Sequence, residues 1–441
     1  MHHKHLLTTF APQYFVTLSH QLTFYYKFSS SGCTEMPSTS PVENFNQLIN
    51  ETLGPGLKVE NIQWKPLTGP GENYGSTIYS LDAIITKNGK TETLPLVVKL
   101  PPPSKDLLTM FNSPVTFWKE LVFYRDVAPK LIQLQLDNFI EQNEVIDLTA
   151  KYCCGRLGLI DPNVFDDQAT IVMENLIASG YTMRDRLLGL DFEHTKFAIG
   201  GLARLHAMVI GLKLKTPEFF KNIVIPMLVD PLNEAALDYG REMIREIHIS
   251  YKEIPEAQPY LDRLDRALKV EYEITQIIPE PLEPWGTMTH NDFWSNNIMF
   301  KYSEQNRPIG MKIVDFQFCY YDSGTMDLIF FLISSANETV LDNHLDEMID
   351  YYYESFINCL KTLNVDTKIF TRKDFDTEVS RSAPIRLGHC LMMINVINTA
   401  RVDSKEPKEI DKHPSVKDDP RIVRKLLHIL KIYDKQGWLV Q

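Results

Sequence analysis

Alternating hydrophobic and polar residues predict a β-rich segment between positions 57 and 100. Its β-forming runs cover 59–64, 78–85 and 94–100. Lys-Asn-Gly-Lys separates the last two runs, and Asn-Gly between such runs is a strong hairpin signal. A second β-rich stretch at 145–176 ends in Thr-Ile-Val-Met-Glu-Asn-Leu. We therefore expect most of the strands in the first part of the chain.

Hydrophobic residues at helical spacing dominate the rest of the sequence. Helices are predicted at 42–49, 114–128, 197–212 and 422–430. His206 lies on the apolar face of the third helix, which favours a hydrogen-bonded core histidine over a ligand. The order of these patterns indicates an α+β protein with a small β-rich lobe, a short connector and a larger helical lobe.

Composition and charge restrict the function classes. The 441 residues are 44% hydrophobic, so the chain can bury a substantial core. Lys and Arg number 45 against 57 Asp and Glu, which gives a net charge of −12. This argues against extended nucleic-acid binding, because a phosphate backbone requires a basic surface. It still allows a small anionic ligand held by a few local cations and a metal.

The cysteines and the apolar runs bear on compartment and membranes. The six cysteines form no CxxC pair and are too sparse for a disulfide framework, which favours a reducing, cytoplasmic location. The longest wholly apolar runs are only a few residues long, as at 328–333, whereas a membrane-spanning helix needs about 20. We expect no membrane span and no obligate protein partner.

Residues 1–35 differ from the rest of the chain. No Asp or Glu precedes Glu35, and the stretch is rich in His, Thr, Ser and aromatic residues. It has neither the apolar centre of a secretory signal nor the arginines of a mitochondrial presequence. We expect a disordered or non-native extension, with Met36 as an alternative start.

The chemistry is concentrated in two polar motifs. Residues 289–300 contain His-Asn-Asp followed by Asn297, so that Asp292 precedes this asparagine by five positions. Ile-Val-Asp follows, ending at Asp315. Two strands joined by a turn at 304–308 would bring Asn297 and Asp315 to the same end. An amide oxygen and a carboxylate suit Mg²⁺ bound to phosphate, which leaves Asp292 to accept a proton.

Alone, the first motif fits equally well a polar turn whose Asp and Asn cap backbone groups. Followed by Ile-Val-Asp at this distance, it favours phosphoryl transfer. Gly-Lys-Thr at 89–91 imitates the end of a phosphate-binding P-loop, but the first glycine of that motif would fall on Ile84. We interpret these three residues as hairpin-turn chemistry.

A glycine-rich turn precedes the second β-run of the small lobe. Its backbone N–H groups would cover phosphates, although a plain hairpin turn has a similar composition. The candidate nucleotide-binding residues of this turn are Gly71, Asn73, Tyr74, Gly75 and Ser76.

A lone cation and a following acid complete the small-lobe candidates. Lys99 ends the strand 94–100, and Glu120 lies on the next predicted helix, where it would pair with Lys99. Each residue alone has an ordinary explanation, as an exposed strand-end lysine or a surface glutamate. The informative feature is the order: glycine-rich turn, strand lysine, helix glutamate, connector, His-x-Asp-x4-Asn, Asp.

These motifs resemble the ecdysteroid kinase-like family, a branch of the choline kinase and aminoglycoside phosphotransferase group. The resemblance covers about residues 40–440. The residues that carry it are Asn73-Tyr74 with Ser76, Phe-Trp-Lys-Glu-Leu-Val-Phe-Tyr at 117–124, Val-Met-Glu-Asn-Leu at 172–176, Leu-Ala-Arg-Leu-His-Ala at 202–207, His-Asn-Asp-Phe-Trp-Ser-Asn-Asn at 290–297 and Val-Asp-Phe-Gln at 314–317.

The resemblance implies a two-lobed protein kinase-like fold that phosphorylates small-molecule hydroxyls with ATP and Mg²⁺. It implies a small lobe at 36–172, an interlobe hinge at 173–178 and a helical lobe at 179–441. By position, Asp292 corresponds to the catalytic base, and Asn297 and Asp315 to the Mg²⁺ ligands. Lys99, held by Glu120, corresponds to the contact with the α- and β-phosphates.

The resemblance also implies supporting roles. The hinge residues expected to meet adenine are Met173, Glu174, Asn175 and Leu176. His290 and Asp327 correspond to residues that orient the catalytic loop. Asn291 stands where protein kinases have Arg, Gln317 stands where they have Gly, and no Ala-Pro-Glu segment follows. A protein substrate is therefore not expected.

Three functions remain open from the sequence. The first is a kinase for an ecdysteroid-like steroid alcohol, or for a plant or xenobiotic alcohol in detoxification. The second is a choline or ethanolamine kinase, which needs an acidic, aromatic cage that no motif locates. The third is a binding protein that keeps the fold without chemistry. The complete set of expected catalytic residues argues against the third.

Deleting residues 1–35 is expected to leave the melting temperature and the activity unchanged, because every motif lies downstream. Thermal unfolding of the truncated and full chains measures this directly. A large drop in melting temperature would contradict the interpretation of this segment.

Overall fold

The computed structural model describes residues 40–53, 57–67, 75–87, 90–274, 281–399 and 419–439. The predicted extension at 1–35 lies outside the described residues. The strands are β1 Leu57–Pro66, β2 Thr77–Lys87, β3 Lys90–Leu100, β4 Tyr152–Arg156, β5 Thr170–Glu174, β6 Thr182–Met183, β7 Gly286–Thr289, β8 Ile298–Tyr302, β9 Pro308–Ile313 and β10 Tyr320–Ser323.

Helices form most of the remainder and follow the predicted pattern. They are α1 Phe45–Leu53, α2 Lys105–Met110, α3 Ser113–Val122, α4 Ala128–Asp137, α5 Phe192–Lys215, α6 Pro217–Phe219, α7 Ile225–Met227, α8 Glu234–Lys252, α9 Leu261–Ile274, α10 Thr325–Ser335, α11 Glu338–Thr362, α12 Arg372–Thr399 and α13 Pro420–Lys435. The predicted α+β fold, with a small β-rich lobe and a larger helical lobe, is confirmed.

The small lobe is built on one antiparallel sheet in the order β1-β2-β3-β5-β4. On β3, the buried Val98 and Leu100 belong to the hydrophobic cluster that contains Phe45 of α1. Side chains alternate between the two faces of a strand, so Lys99 lies on the opposite face. The period-2 pattern thus directs this lysine toward α3, into the interior between the lobes.

The predicted helix at 114–128 is part of a longer helical segment. It comprises α3, a π-helical turn at Phe123–Val127 and α4. Phe117, Leu121 and Glu120 are all buried, so α3 is enclosed on several sides. A helix that is hydrophobic on most sides is buried in the protein, and its few polar residues, such as Glu120, then need partners inside the protein.

The long helix α5 forms the centre of the large lobe and packs on α11. Within the described residues, α5 is the helix whose length and composition would suffice to cross a membrane, but most of it is buried inside the lobe. Asp191 caps its first turn by accepting a hydrogen bond from the backbone N–H of His194 at 3.0 Å. Burial on this scale identifies α5 as a core helix.

Two antiparallel strand pairs carry the polar motifs of the large lobe. β8 pairs with β9 so that Ile298 lies opposite Ile313, and the N–H of Val314 donates to the carbonyl of Asn297 at 3.0 Å. The predicted turn therefore brings positions 297 and 315 to one end of this hairpin. β7 pairs with β10, where Thr289 lies opposite Tyr320. The motif at 290–297, here called the catalytic loop, thus directly follows a strand that is held by pairing.

Buried or partly buried polar contacts tie the α2–α3 corner of the small lobe to the segment before α8. The ammonium of Lys119 is fully buried and donates to the carbonyl of Val229 at 2.5 Å. Asn112 Nδ2 donates to the carbonyl of Pro231 at 3.1 Å. Burial lowers the pKa of Lys119 to about 8, although Cys319 and Asp230 oppose this shift.

This lowered pKa predicts a pH-dependent stability. Between about pH 8 and pH 10.5 the unfolded chain binds the Lys119 proton more tightly than the folded protein, so folding is favoured as the pH rises. Between about pH 7 and pH 9.5, we expect the free energy of unfolding of the wild type to rise by about 2 kcal/mol relative to that of Lys119→Met. Urea unfolding of both proteins at the two pH values tests this. Parallel pH profiles would contradict it.

Candidate active site

The carboxylate of Asp327 fixes the start of the catalytic loop. It lies at the beginning of α10 and is fully buried. Oδ2 accepts a hydrogen bond from the backbone N–H of His290 at 2.5 Å, and Oδ1 accepts one from that of Asn291 at 2.9 Å. Asn291 has a φ of 64°, in the left-handed region that Asn tolerates better than most residues. Asp327 therefore holds the chain immediately before Asp292.

A buried histidine and a tyrosine extend this anchor. His206 Nε2 lies 3.2 Å from Asp327 Oδ2, and its Nδ1 lies 2.7 Å from the hydroxyl of Tyr352 on α11. Burial would raise the pKa of Asp327, but the hydrogen bond from His206 and its charge hold that pKa below its usual value. A Cβ at Gly324 would collide with both His206 and Tyr352. The predicted core role of His206 is confirmed.

His290 links the loop to the strand end before Asp315. Its Nε2 lies 3.0 Å from the carbonyl of Val314. A carbonyl only accepts, so Nε2 carries the hydrogen. Burial lowers the pKa of His290, which is consistent with a neutral ring. His290 is thus placed as a brace between the two polar motifs.

Asp292 and Asn297 contact each other across the catalytic loop. Asn297 Nδ2 donates to Asp292 Oδ2 at 2.9 Å and to the Asp292 carbonyl at 2.8 Å. Burial, and then the charge of Asp315, raise the pKa of Asp292 to about 8, while hydrogen bonds from Asn297 and Trp294 oppose the rise. A pKa in this range suits a group that exchanges a proton near neutral pH.

Lys99 connects the small lobe to Asp315. Its ammonium lies 2.5 Å from Glu120 Oε2 and 2.6 Å from Asp315 Oδ1. Asp315 has a φ of 71°, so a left-handed turn directs its carboxylate to this point. The predicted pair of Lys99 and Glu120 is present, and Lys99 is buried rather than exposed at the strand end.

The three charges shift one another's proton affinity. Burial disfavours the charged form of Lys99, but Asp315 and Glu120 outweigh it and raise its pKa above the ordinary value. Burial raises the pKa of Glu120 to about 7, against the opposing effect of Lys99. Lys99 therefore stays charged, as a lysine that binds phosphate must.

The residues predicted to bind Mg²⁺ fit that ion by chemistry. Asn297 uses its Nδ2 on Asp292, which leaves its oxygen available as a ligand. Asp315 supplies a carboxylate, one oxygen of which accepts from Gln317 Nε2 at 3.1 Å. Among the described residues no group of three or more His, Cys, Asp or Glu side chains could hold a metal. Two oxygen donors completed by phosphates and water is the arrangement that Mg²⁺ commonly takes.

The glycine-rich turn is described only in part. Gly71, Asn73 and Tyr74 lie outside the described residues, whereas Gly75 and Ser76 are buried. A Cβ added to Gly75 would lie 3.3 Å from Gln317 Nε2. The end of the turn therefore lies against Gln317, which hydrogen bonds to Asp315. This position is expected of a turn that covers the same site.

The predicted hinge lies at the end of β5, and its polar groups are largely used inside the protein. The N–H groups of Glu174 and Asn175 donate to the carbonyls of Lys151 and Pro95. Asn175 Oδ1 accepts from the N–H groups of Ile177 and Ala178. The structure thus gives Asn175 a turn-forming role, and an adenine would need other backbone groups of the segment 173–176.

Sequence reasoning missed several residues that the structure adds to the site. Trp294 lies beside the Asp292 carboxyl, Tyr352 supports His206, and Arg386 contacts the catalytic loop. Trp294 stands within the motif and was open to recognition. Tyr352 and Arg386 come from distant helices whose local sequence carries no signal for this contact.

Together these features define the class of protein: a two-lobed, protein kinase-like phosphotransferase fold. Residues 70–365 match the sequence model of the ecdysteroid kinase-like family, and the chain belongs to that family. Membership supports a phosphotransferase that acts on a small molecule.

Solved structures similar to this chain include kinases and a phosphotransferase. Spectinomycin phosphotransferase in complex with ADP and spectinomycin is 12% identical, with a TM-score of 0.43 over 91% of this chain and 100% of that chain. Plasmodium vivax ethanolamine kinase is 10% identical, with a TM-score of 0.37 over 84% of this chain and 82% of that chain. A choline/ethanolamine kinase family protein from Mesorhizobium loti is 11% identical, with a TM-score of 0.33 over 84% of this chain and 91% of that chain. No curated protein matches the chain.

The buried charges around Lys99 predict a compensating double substitution. Lys99→Met is expected to lower the free energy of unfolding by about 3 kcal/mol, because it leaves the buried Glu120 and the half-buried Asp315 without their cation. Adding Glu120→Gln removes one of those carboxylates and should restore about half of the loss. Urea unfolding of the wild type and both variants measures this. A double variant no more stable than Lys99→Met would contradict the ion cluster.

Proposed function

We propose that this protein is a kinase that uses ATP and Mg²⁺ to phosphorylate a hydroxyl group of a small molecule. One observation carries the proposal: the small-lobe cation meets the polar motifs of the large lobe. Lys99 lies 2.6 Å from Asp315 Oδ1, and Asp292 and Asn297 hydrogen bond on the adjacent loop. These are the groups that phosphoryl transfer to an alcohol requires.

Each group has a definable part in the reaction. The Asp292 carboxylate accepts the proton of the acceptor hydroxyl, and the hydroxyl oxygen attacks the γ-phosphorus of ATP. The bond from that phosphorus to the bridging oxygen breaks, and ADP leaves with the electron pair. Lys99, held in place by Glu120, binds the phosphates. When bound by Asn297 and Asp315, Mg²⁺ supplies charge neutralisation at the phosphate oxygens.

We further propose an ecdysteroid-like steroid alcohol, or a plant or xenobiotic alcohol, as the acceptor. The support is the family match over residues 70–365. A role in detoxification and a cytoplasmic location belong to the same proposal. The sparse cysteines, which form no CxxC pair, support a reducing compartment.

An acceptor panel tests the proposed function. Purified protein with ATP and Mg²⁺ is assayed for ADP release against ecdysone-type steroids, plant glycosides, phenolic alcohols, choline and ethanolamine. Stimulation by a steroid or xenobiotic alcohol supports the proposal. Stimulation by choline or ethanolamine alone would overturn the acceptor class, and ADP release that no acceptor stimulates would overturn the kinase.

Asp292→Asn is expected to lower turnover by at least about a thousandfold while leaving ATP–Mg²⁺ affinity within about threefold, because it removes the base and keeps both metal ligands. Steady-state kinetics and a nucleotide titration measure the two effects. Asp137→Asn, an exposed substitution at the end of α4, is the matched control. Turnover near that of the wild type in Asp292→Asn would remove Asp292 from the role of base.

A further inference from the structure

The residue before the proposed base is held from the helical lobe. Asn291 Oδ1 accepts a hydrogen bond from Arg386 Nη2 of α12 at 2.5 Å. Its backbone N–H is held by Asp327, so the main chain and the side chain of Asn291 are fixed independently. Its amide group is adjacent to Asp292 and only half-buried.

The chemistry of arginine determines which way this amide turns. A guanidinium has only donors, so Asn291 must direct its oxygen toward Arg386. Its Nδ2 then points away from α12 as a donor. Among the described residues no group accepts a hydrogen bond from this Nδ2, whereas the Nδ2 of the neighbouring Asn297 is fully used on Asp292. Asn291 thus presents an unused donor beside the base.

The guanidinium of Arg386 helps to keep the pKa of Asp327 low by its charge, but its hydrogen bonds are incomplete. Arg386 Nε is buried without a hydrogen-bond partner within the described ranges, and leaving a buried donor unpaired costs about 1–3 kcal/mol. Its Nη1 lies 3.3 Å from His389 Nδ1, so the guanidinium is fixed on α12 at one end and contacts Asn291 at the other. An arginine that leaves one buried donor unpaired and yet fixes one amide beside the base points to a positioning role.

Asp315 and Asn291 are held from opposite lobes. We use this difference to distinguish the side of the site that binds the nucleotide from the side that binds the acceptor. Asp315 is held from the small lobe by Lys99. Asn291 is held from the large lobe by Arg386, on a helix that packs against α8 and α9. We propose that Asn291 Nδ2 donates a hydrogen bond to an oxygen of the acceptor molecule, and that Arg386 is the positioning residue that orients it. The acceptor class this implies is an alcohol with a second oxygen near the reacting hydroxyl.

The proposal rests on the proposed kinase function and is tested with the best acceptor of the wild type. Asn291→Asp keeps an acceptor oxygen for Arg386 and removes the donor, and Asn291→Gly removes the side chain. Both residues tolerate the positive φ at this position. We expect each to raise the KM for the acceptor about tenfold and to leave the KM for ATP within about twofold.

Two variants with different charge keep the test interpretable. Asn291→Asp adds a carboxylate beside Asp292 and Asn291→Gly does not, so agreement between them excludes a charge effect on the base. Asn343→Asp, an exposed substitution on α11, is the matched control. An acceptor KM within twofold of the wild type in both Asn291 variants, or a fall in kcat alone, would overturn the assignment.

Arg386 is tested through its partner. Arg386→Ala is expected to raise the acceptor KM about threefold, and Arg386→Lys, which also only donates, should restore it. In the Asn291→Gly background Arg386→Ala should have no further effect on this KM, since the two residues act through one hydrogen bond. Additive effects would show that Arg386 acts elsewhere. A wild type that phosphorylates no acceptor would overturn the proposed function itself and, with it, this inference.

Discussion

The buried ion cluster of Lys99, Glu120 and Asp315 is the interaction on which the arrangement of the site depends. It joins β3, α3 and the end of the β8–β9 hairpin. Glu120 and Asp315 lie 21 and 216 positions from Lys99 along the chain. A buried lysine needs this charge compensation, because an unpaired ammonium in the interior loses its hydration. The same compensation places a cation from the small lobe beside the carboxylate of the large lobe.

A further buried carboxylate, outside this cluster, organises the large-lobe side of the site. Asp327 holds the catalytic loop by its backbone, and His206 and Tyr352 hold Asp327. Asp327 therefore fixes the backbone of this loop from inside the large lobe, and the side chains of Asp292 and Asn297 face the active site. Two residues with positive φ, Asn291 and Asp315, are maintained by these contacts, which is the pattern expected where backbone strain serves a site.

Local patterns in the sequence predicted more of the fold than of the site. The strands of the small lobe and the core helix α5 follow from periods of 2 and 3.6, and the β8–β9 turn follows from its residues. The pairing of Lys99 with Glu120 follows from the order of motifs. Asp327 and His290 were expected only by resemblance, since nothing local shows where a buried carboxylate will point. Arg386 was not predicted at all, because it reaches Asn291 across 95 positions of sequence.

The proposed kinase needs a nucleotide site that depends on a divalent cation. Calorimetric titration of the wild type with ATP, with and without Mg²⁺, tests it most directly because it needs no acceptor. We expect saturable binding of ATP with Mg²⁺ and a clear loss of affinity when Mg²⁺ is omitted. No binding of ATP in the presence of Mg²⁺ would contradict it.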